Sequence, residues 1–342
     1  VKLCGPGDAA AIAAEHDLPF QRIRQSVLRT WRDEWTEAVS HEKGPAFVMR
    51  SDRDEMIAEK KASYEVFLSF KPELVLTSFL TLLEVSIFSE IFDDIPFVNF
   101  GLQTPPGRGW NLASLDLPRV LKPLNWMEDF LAQGDAPVYI GFGSMKVFTP
   151  KYMTLLCARA LHLTGLRGVI CAGWAGMDPQ HLEGEADELE LTEYVKNSVL
   201  FMPKSPHGLL FPRCQAIVHH GGAGTMNASV RSGKPTIVIP ILLDQYDHAR
   251  RINELGIGKG LKHLRHQTPS TIAAAIKECI DSQSIRTKAE EVGAKMRHEE
   301  AQAPARLTQF VQEYFRDYVD GGLFKSLMRD TRERRAQQCC KC

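Results

Sequence analysis

The 342-residue chain has almost no net charge, with 41 Lys and Arg against 42 Asp and Glu and a balance of −1. No global field draws it to nucleic acid, which is not an expected partner. It also lacks a cysteine framework. Cys4, Cys157, Cys171, Cys214, Cys279, Cys339, Cys340 and Cys342 are scattered or crowded at the end, in no spacing that suggests paired disulfides or a zinc site. A cytoplasmic setting is expected. The most apolar stretch, Val75 to Phe92, carries Glu84 and Glu90, which argues against a membrane span, and the opening residues do not read as a signal peptide. Nucleotide-hydrolase and serine-hydrolase signatures are missing too. Ser232-Gly233-Lys234-Pro235 lacks the hydroxyl after Lys and the upstream glycine of a P-loop, and no Gly-x-Ser-x-Gly elbow occurs. His263 and His266 form a close pair with no third metal ligand near them. Repeats and low-complexity segments are absent.

What is present is a two-domain length and an alternation of apolar β-branched runs with helical patterns, which predicts an α/β fold with doubly wound parallel sheets. In the second half the expected strands are 138–143, 168–172, 199–202, 216–219 and 236–239. In the first half they are 1–4, 20–23, 74–77 and 96–100, with a helix over 51–71. The hinge is placed between Gly107 and Trp126, where Pro, Gly and Asn cluster. Ligands in such sheets bind beyond the carboxyl ends of the strands, where Ser144, Trp174, His207, His220 and Asp244 fall.

The most informative run is Val218-His219-His220-Gly221-Gly222-Ala223-Gly224-Thr225, followed by Pro235 to Pro240 and then Asp244-Gln245. A strand enters a glycine-rich turn, and the helix beginning near Gly224 turns unpaired N–H groups and its positive end toward an anion. A diphosphate suits that end. Asp244 and Gln245 place an acceptor and an amide side by side, a pair suited to sugar hydroxyls. A dinucleotide site competes, because Gly222-Ala223-Gly224 begins a G-x-G, but Asn227 stands where the third glycine belongs. A tight turn without ligand is the plainest alternative.

These residues resemble the donor signature of UDP-glycosyltransferases of the GT-B type, above all the sterol 3-β-glucosyltransferase group. Pro137 to Met145, Ala172-Gly173-Trp174 and Pro206 to Cys214 agree in order, so the likeness covers roughly 124–315. It implies two Rossmann-like domains facing a cleft, the amino-terminal one incomplete. On this reading residues 1–125 form the acceptor-binding domain, 126–318 the UDP-sugar donor-binding domain, and 319–342 a basic, Cys-ended tail. The donor residues implied are Ser144, Pro206, His207, His220, Gly222, Ala223, Gly224, Thr225, Asp244 and Gln245. His220 takes the diphosphate, His207 holds the uracil through its backbone, and Asp244 with Gln245 clamps the hexose. Ser144 contacts phosphate, though a hydroxyl there also suits a cap before Thr149-Pro150. His219, on the opposite face of its strand, is expected to be structural.

The resemblance implies an inverting, metal-independent transfer of a hexose, expected to be glucose, from a UDP-sugar to a lipophilic hydroxyl such as a sterol. No cofactor is expected. The opening βα unit that supplies the acceptor-activating base has no counterpart here, so the catalytic residue is unassigned. The alternative is a non-catalytic nucleotide-sugar-binding module, or the donor half of a two-chain transferase. Two departures matter further: Leu242-Leu243 replaces the usual aromatic-glycine pair, and the tail after Gly321-Gly322 sets Lys325, Arg329, Arg332, Arg334 and Arg335 beside Leu323, Phe324, Leu327 and Met328. Ending in Cys339-Cys340-Lys341-Cys342, it is a candidate peripheral membrane contact as well as a candidate solvated tail.

Overall fold

The computed structural model describes residues 125–313 without a break, with the segments 3–6, 20–24, 75–78 and 97–100 and isolated positions at 14, between 61 and 69, and between 316 and 333. The chain divides into two compact units. In the first, strand β1 (Leu3–Pro6) pairs in parallel with β2 (Phe20–Arg24), and β3 (Val75–Ser78) with β4 (Phe97–Phe100). These are the four strands expected there. The described positions between 61 and 69 are helical, inside the expected span. The hinge expected at 107–126 lies almost wholly outside the described residues, as does most of the basic tail.

The second unit contains α1 (Asn125–Ala132), β5 (Val138–Gly141), α2 (Pro150–Thr164), β6 (Gly168–Cys171), α3 (Glu188–Ser198), β7 (Val199–Met202) and α4 (His207–Leu210). There follow β8 (Ala216–His219), α5 (Ala223–Arg231), β9 (Thr236–Val238), α6 (Gln245–Leu255), β10 (Gly258–Gly260), α7 (Pro269–Asp281) and α8, which begins at Gln283. Its six strands form one parallel sheet in the order β10-β9-β8-β5-β6-β7. Parallel strands bury both faces, so their sequences are continuously apolar: Val138, Ile140, Val169, Ile170, Ile217, Val218, Ile237 and Val238 are all fully buried. Each such side chain contributes about 1.5–3 kcal/mol relative to exposure. On one face Met127, Tyr139, Leu210, Phe211 and Ile217 share a cluster; Leu155, Ala158, Leu182, Leu191 and Val195 form another under α2 and α3.

Strand order dictates where a ligand can sit. The chain moves outward from β5 through β6 to β7, then returns to the other side of β5 and moves outward again from β8. The reversal leaves a crevice beyond the carboxyl ends of β5 and β8, the topological switch point. There Gly141 is the register partner of His219, so the loops opening at Phe142 and His220 lie side by side. Five of the six strands are those expected from sequence; β10 is additional.

Candidate functional site

The switch point is built around one histidine. After β5 the chain turns at Gly143, whose φ of 57° lies in the left-handed region that glycine adopts freely. A Cβ on Gly143 would stand 2.9 Å from Cε1 of His220, and one on Gly222 would overlap His220 Nε2. The imidazole is therefore wedged between two glycines from adjacent strand ends. It is 6% exposed, and its Nδ1 has no hydrogen-bond partner. Burial pushes its pKa down from 6.5 to about 4, with His207 and His248 adding in the same direction. His220 is neutral at pH 7.

Beside the ring, α5 begins at Ala223 with Gly222 as its cap residue and no side chain covering the first turn. Its early N–H groups have no intrahelical acceptors, and the helix places its positive end there. Gly224 is exposed, and a Cβ on it would meet nothing within 4 Å. Ser144, also exposed, sits in the turn after β5; Trp174 donates its backbone N–H to the Gly143 carbonyl at 3.0 Å, tying the loop after β6 to the same place. Ser144, His220, Gly222, Ala223, Gly224 and Thr225 thus gather at one crevice.

Asp244 and Gln245 follow β9 and differ in how committed they are. The Asp244 carboxylate, 23% exposed, makes no cap hydrogen bond to its own helix. Gln245 is 4% exposed, and its Oε1 accepts from the N–H groups of Ile241 and Leu242 at 2.9 and 3.1 Å, while Nε2 reaches Met145 Sδ at 3.8 Å. The amide's first task is to hold its own loop. Immediately before them stands Leu243, 57% exposed with φ at 51°, the only described non-glycine residue at positive φ. Where the resembling family carries glycine, this chain holds a leucine in a conformation that costs about 1–2 kcal/mol.

Pro206 and His207 approach from β7, farther along the sheet. The His207 ring stacks on Phe211 with centroids 4.4 Å apart, and the Tyr139 hydroxyl lies 3.4 Å from its Nε2. Its backbone N–H donates to the Ser205 carbonyl at 3.0 Å and its carbonyl accepts from Phe211 N–H, so both are engaged within the chain. Among the described residues no three His, Cys, Asp or Glu side chains converge as metal ligands. No described helix is long and apolar enough to cross a membrane.

Residues 181–313 match the family described as erythromycin biosynthesis protein CIII-like, C-terminal domain. A sterol 3-beta-glucosyltransferase of Arabidopsis thaliana is 34% identical over 191 residues, which cover 56% of this chain and 28% of that protein. One from Komagataella phaffii is 36% identical over 186 residues, covering 54% and 14%. Among solved structures the calicheamicin glycosyltransferase CalG4 aligns with a TM-score of 0.61 at 14% identity, covering 92% of this chain and 91% of its own. The chain has the GT-B fold of these glycosyltransferases. The chain spans less than a third of the length of either sterol relative. A Streptomyces glycosyltransferase, SsfS6, solved with thymidine diphosphate, shares its fold at a TM-score of 0.55 and 18% identity, covering 90% of each chain.

Sequence reasoning singled out Leu243, as a departure from the family, but not Gly143 or His248. Gly143 matters through a ring that belongs to another strand end. His248 carried a legible signal: it lies four residues after Asp244, on the same face of α6.

Proposed function

We propose that the chain binds a UDP-sugar, UDP-glucose in particular, at the carboxyl edge of its six-stranded sheet, and transfers the hexose to a lipophilic hydroxyl such as a sterol. One observation carries the reading: a neutral imidazole held between Gly143 and Gly222, directly beside the uncapped start of α5. The diphosphate lies against that helix end and His220, Ser144 contacts a phosphate oxygen, and the Asp244 carboxylate accepts from hexose hydroxyls. Gln245 contributes the N–H of Nε2 that its sulfur contact leaves over. The acceptor oxygen attacks the anomeric carbon from the face opposite the diphosphate and releases its proton to water; the bond to the phosphate oxygen breaks, UDP leaves with the electron pair, and configuration inverts. Helix dipole and first-turn N–H groups stabilise the charge that develops on UDP, with no metal required. The names of the sterol 3-beta-glucosyltransferases support glucose and a sterol, and the neighbour solved with thymidine diphosphate supports a nucleoside diphosphate.

Calorimetry on the full chain tests this with UDP, TDP and UDP-glucose, each in the presence of a chelator. UDP is expected to bind without metal. Asp244→Ala should leave UDP affinity intact and cost about 1–3 kcal/mol for UDP-glucose, the range for a partner left unpaired. Absence of UDP binding, or equal losses for both ligands in Asp244→Ala, contradicts the assignment. Donor binding without release of UDP in the presence of cholesterol or ergosterol would make the chain a nucleotide-sugar-binding module instead.

A further inference from the structure

Gly221 turns the chain from β8 toward α5 with φ at 90°, and a Cβ there would stand 2.8 Å from Val238 Cγ1. Its backbone groups are buried, so each needs a partner. Both partners are histidine rings. The Gly221 N–H donates to His219 Nδ1 at 3.0 Å, and the Gly221 carbonyl lies 2.6 Å from His248 Nδ1. Chemistry fixes the tautomers: a carbonyl only accepts, so His248 Nδ1 carries its hydrogen, while His219 Nδ1 accepts and must be bare. His219 is fully buried, and burial holds its pKa well below the usual histidine range, so it stays in the accepting form.

His248 is 7% exposed and sits one turn into α6, with Nδ1 3.9 Å from the Asp244 carboxylate at the start of that helix. One hydrogen bond therefore joins the helix that presents Asp244 to the turn that presents His220 and the first turn of α5. We propose that His248 is a positioning residue for the donor diphosphate: through the Gly221 carbonyl it fixes the direction in which His220 and the N–H groups of Gly222 to Thr225 point. The proposal rests on the donor-site reading above and extends it to a residue that touches no ligand itself.

The test compares two variants of the full chain. His248→Leu removes the donor at similar bulk, whereas the Nδ2 of His248→Asn can donate from nearly the place of Nδ1. Amide hydrogen exchange over residues 221–226 without ligand is the first readout, and UDP affinity by calorimetry the second. His248→Leu should exchange there about tenfold faster and bind UDP about tenfold more weakly, the size of one net hydrogen bond. His248→Asn should stay within about threefold of the parent in both, the rescue that a purely space-filling role would not give. Exchange in α7 reports whether the fold is kept; if the Leu variant loses it, His248→Ala replaces it under the same criteria. Leu and Asn variants that behave alike overturn the proposal, and so does faster exchange with unchanged UDP affinity. A parent chain that binds no UDP sinks the donor-site reading instead, and the exchange comparison then decides the histidine clamp by itself.

Discussion

Helices α2 and α7 begin with their own caps, and helices α5 and α6 do not. All four follow strands of one parallel sheet and so start on its carboxyl side. Thr149 accepts from the Tyr152 N–H at 3.2 Å with Pro150 opening α2, and Thr268 forms a reciprocal capping box with Thr271, with Pro269 opening α7. At α5 the cap position is Gly222, and at α6 it is Asp244, whose carboxylate makes no cap bond. A side-chain cap is worth about 1 kcal/mol, so the uncapped pair forgoes stability that the same sheet secures elsewhere. The difference teaches that the helix starts gathered at the switch point are left open at the expense of stability.

The largest expected effect separates the two pairs by pH. His220 has its folded pKa below its unfolded value, about 4 against 6.5, so in that window the unfolded chain binds a proton that the folded chain refuses. Stability is whole above pH 6.5 and falls as pH drops toward 4, by about 1.4 kcal/mol per unit and about 3 kcal/mol across the window. His219 is shifted in the same direction by burial and steepens the loss. Denaturant unfolding at a series of pH values should show a shallower slope for His220→Gln; an unchanged slope would break the link between acid sensitivity and the site.

Next in size is an attempt to convert one kind of helix start into the other. Gly222→Ser supplies the missing hydroxyl, but its Cβ overlaps the His220 ring. Overpacking should cost about 1–3 kcal/mol and weaken UDP binding. In a His220→Ala background the same serine should be neutral or stabilise by up to about 1 kcal/mol. A double-mutant cycle read by chemical denaturation checks this, and additivity of the two changes would show that the ring does not enforce the glycine.

The smallest effect is the control on the capped side. Thr268→Ala should cost about 1 kcal/mol of stability and leave UDP affinity unchanged. Calorimetry beside denaturation decides it; a loss of affinity would mean that α7 is tied to the site after all.

Much of this arrangement was legible in the sequence, and the failures are instructive. Strands β5 to β9 announced themselves because burial on both faces demands unbroken apolar, β-branched runs. Strand β10, Gly258-Lys259-Gly260, did not, because its glycines read as turn signals. They are there for close approach: a Cβ on Gly260 would overlap the Ala249 backbone of α6. The glycine-rich loop after β8 was legible because its glycines and its helix start are adjacent in sequence. Gln245 could be placed beside Asp244, but nothing local revealed that its Oε1 is already taken by the loop that precedes it.

By itself the sequence determined the period of each element, the helix start at Thr149 and the glycine turn after β8, since each depends on residues within a few positions of one another. The tertiary structure alone decided that Gly143 and Gly222 close on the same ring, that Asp244 keeps its carboxylate while Gln245 spends its amide, and that His219 and His248 hold the two backbone groups of Gly221. The physical reason is the strand order: the return from β7 to β8 sets the ends of β5 and β8 side by side, and side chains distant along the chain acquire their partners only across that junction.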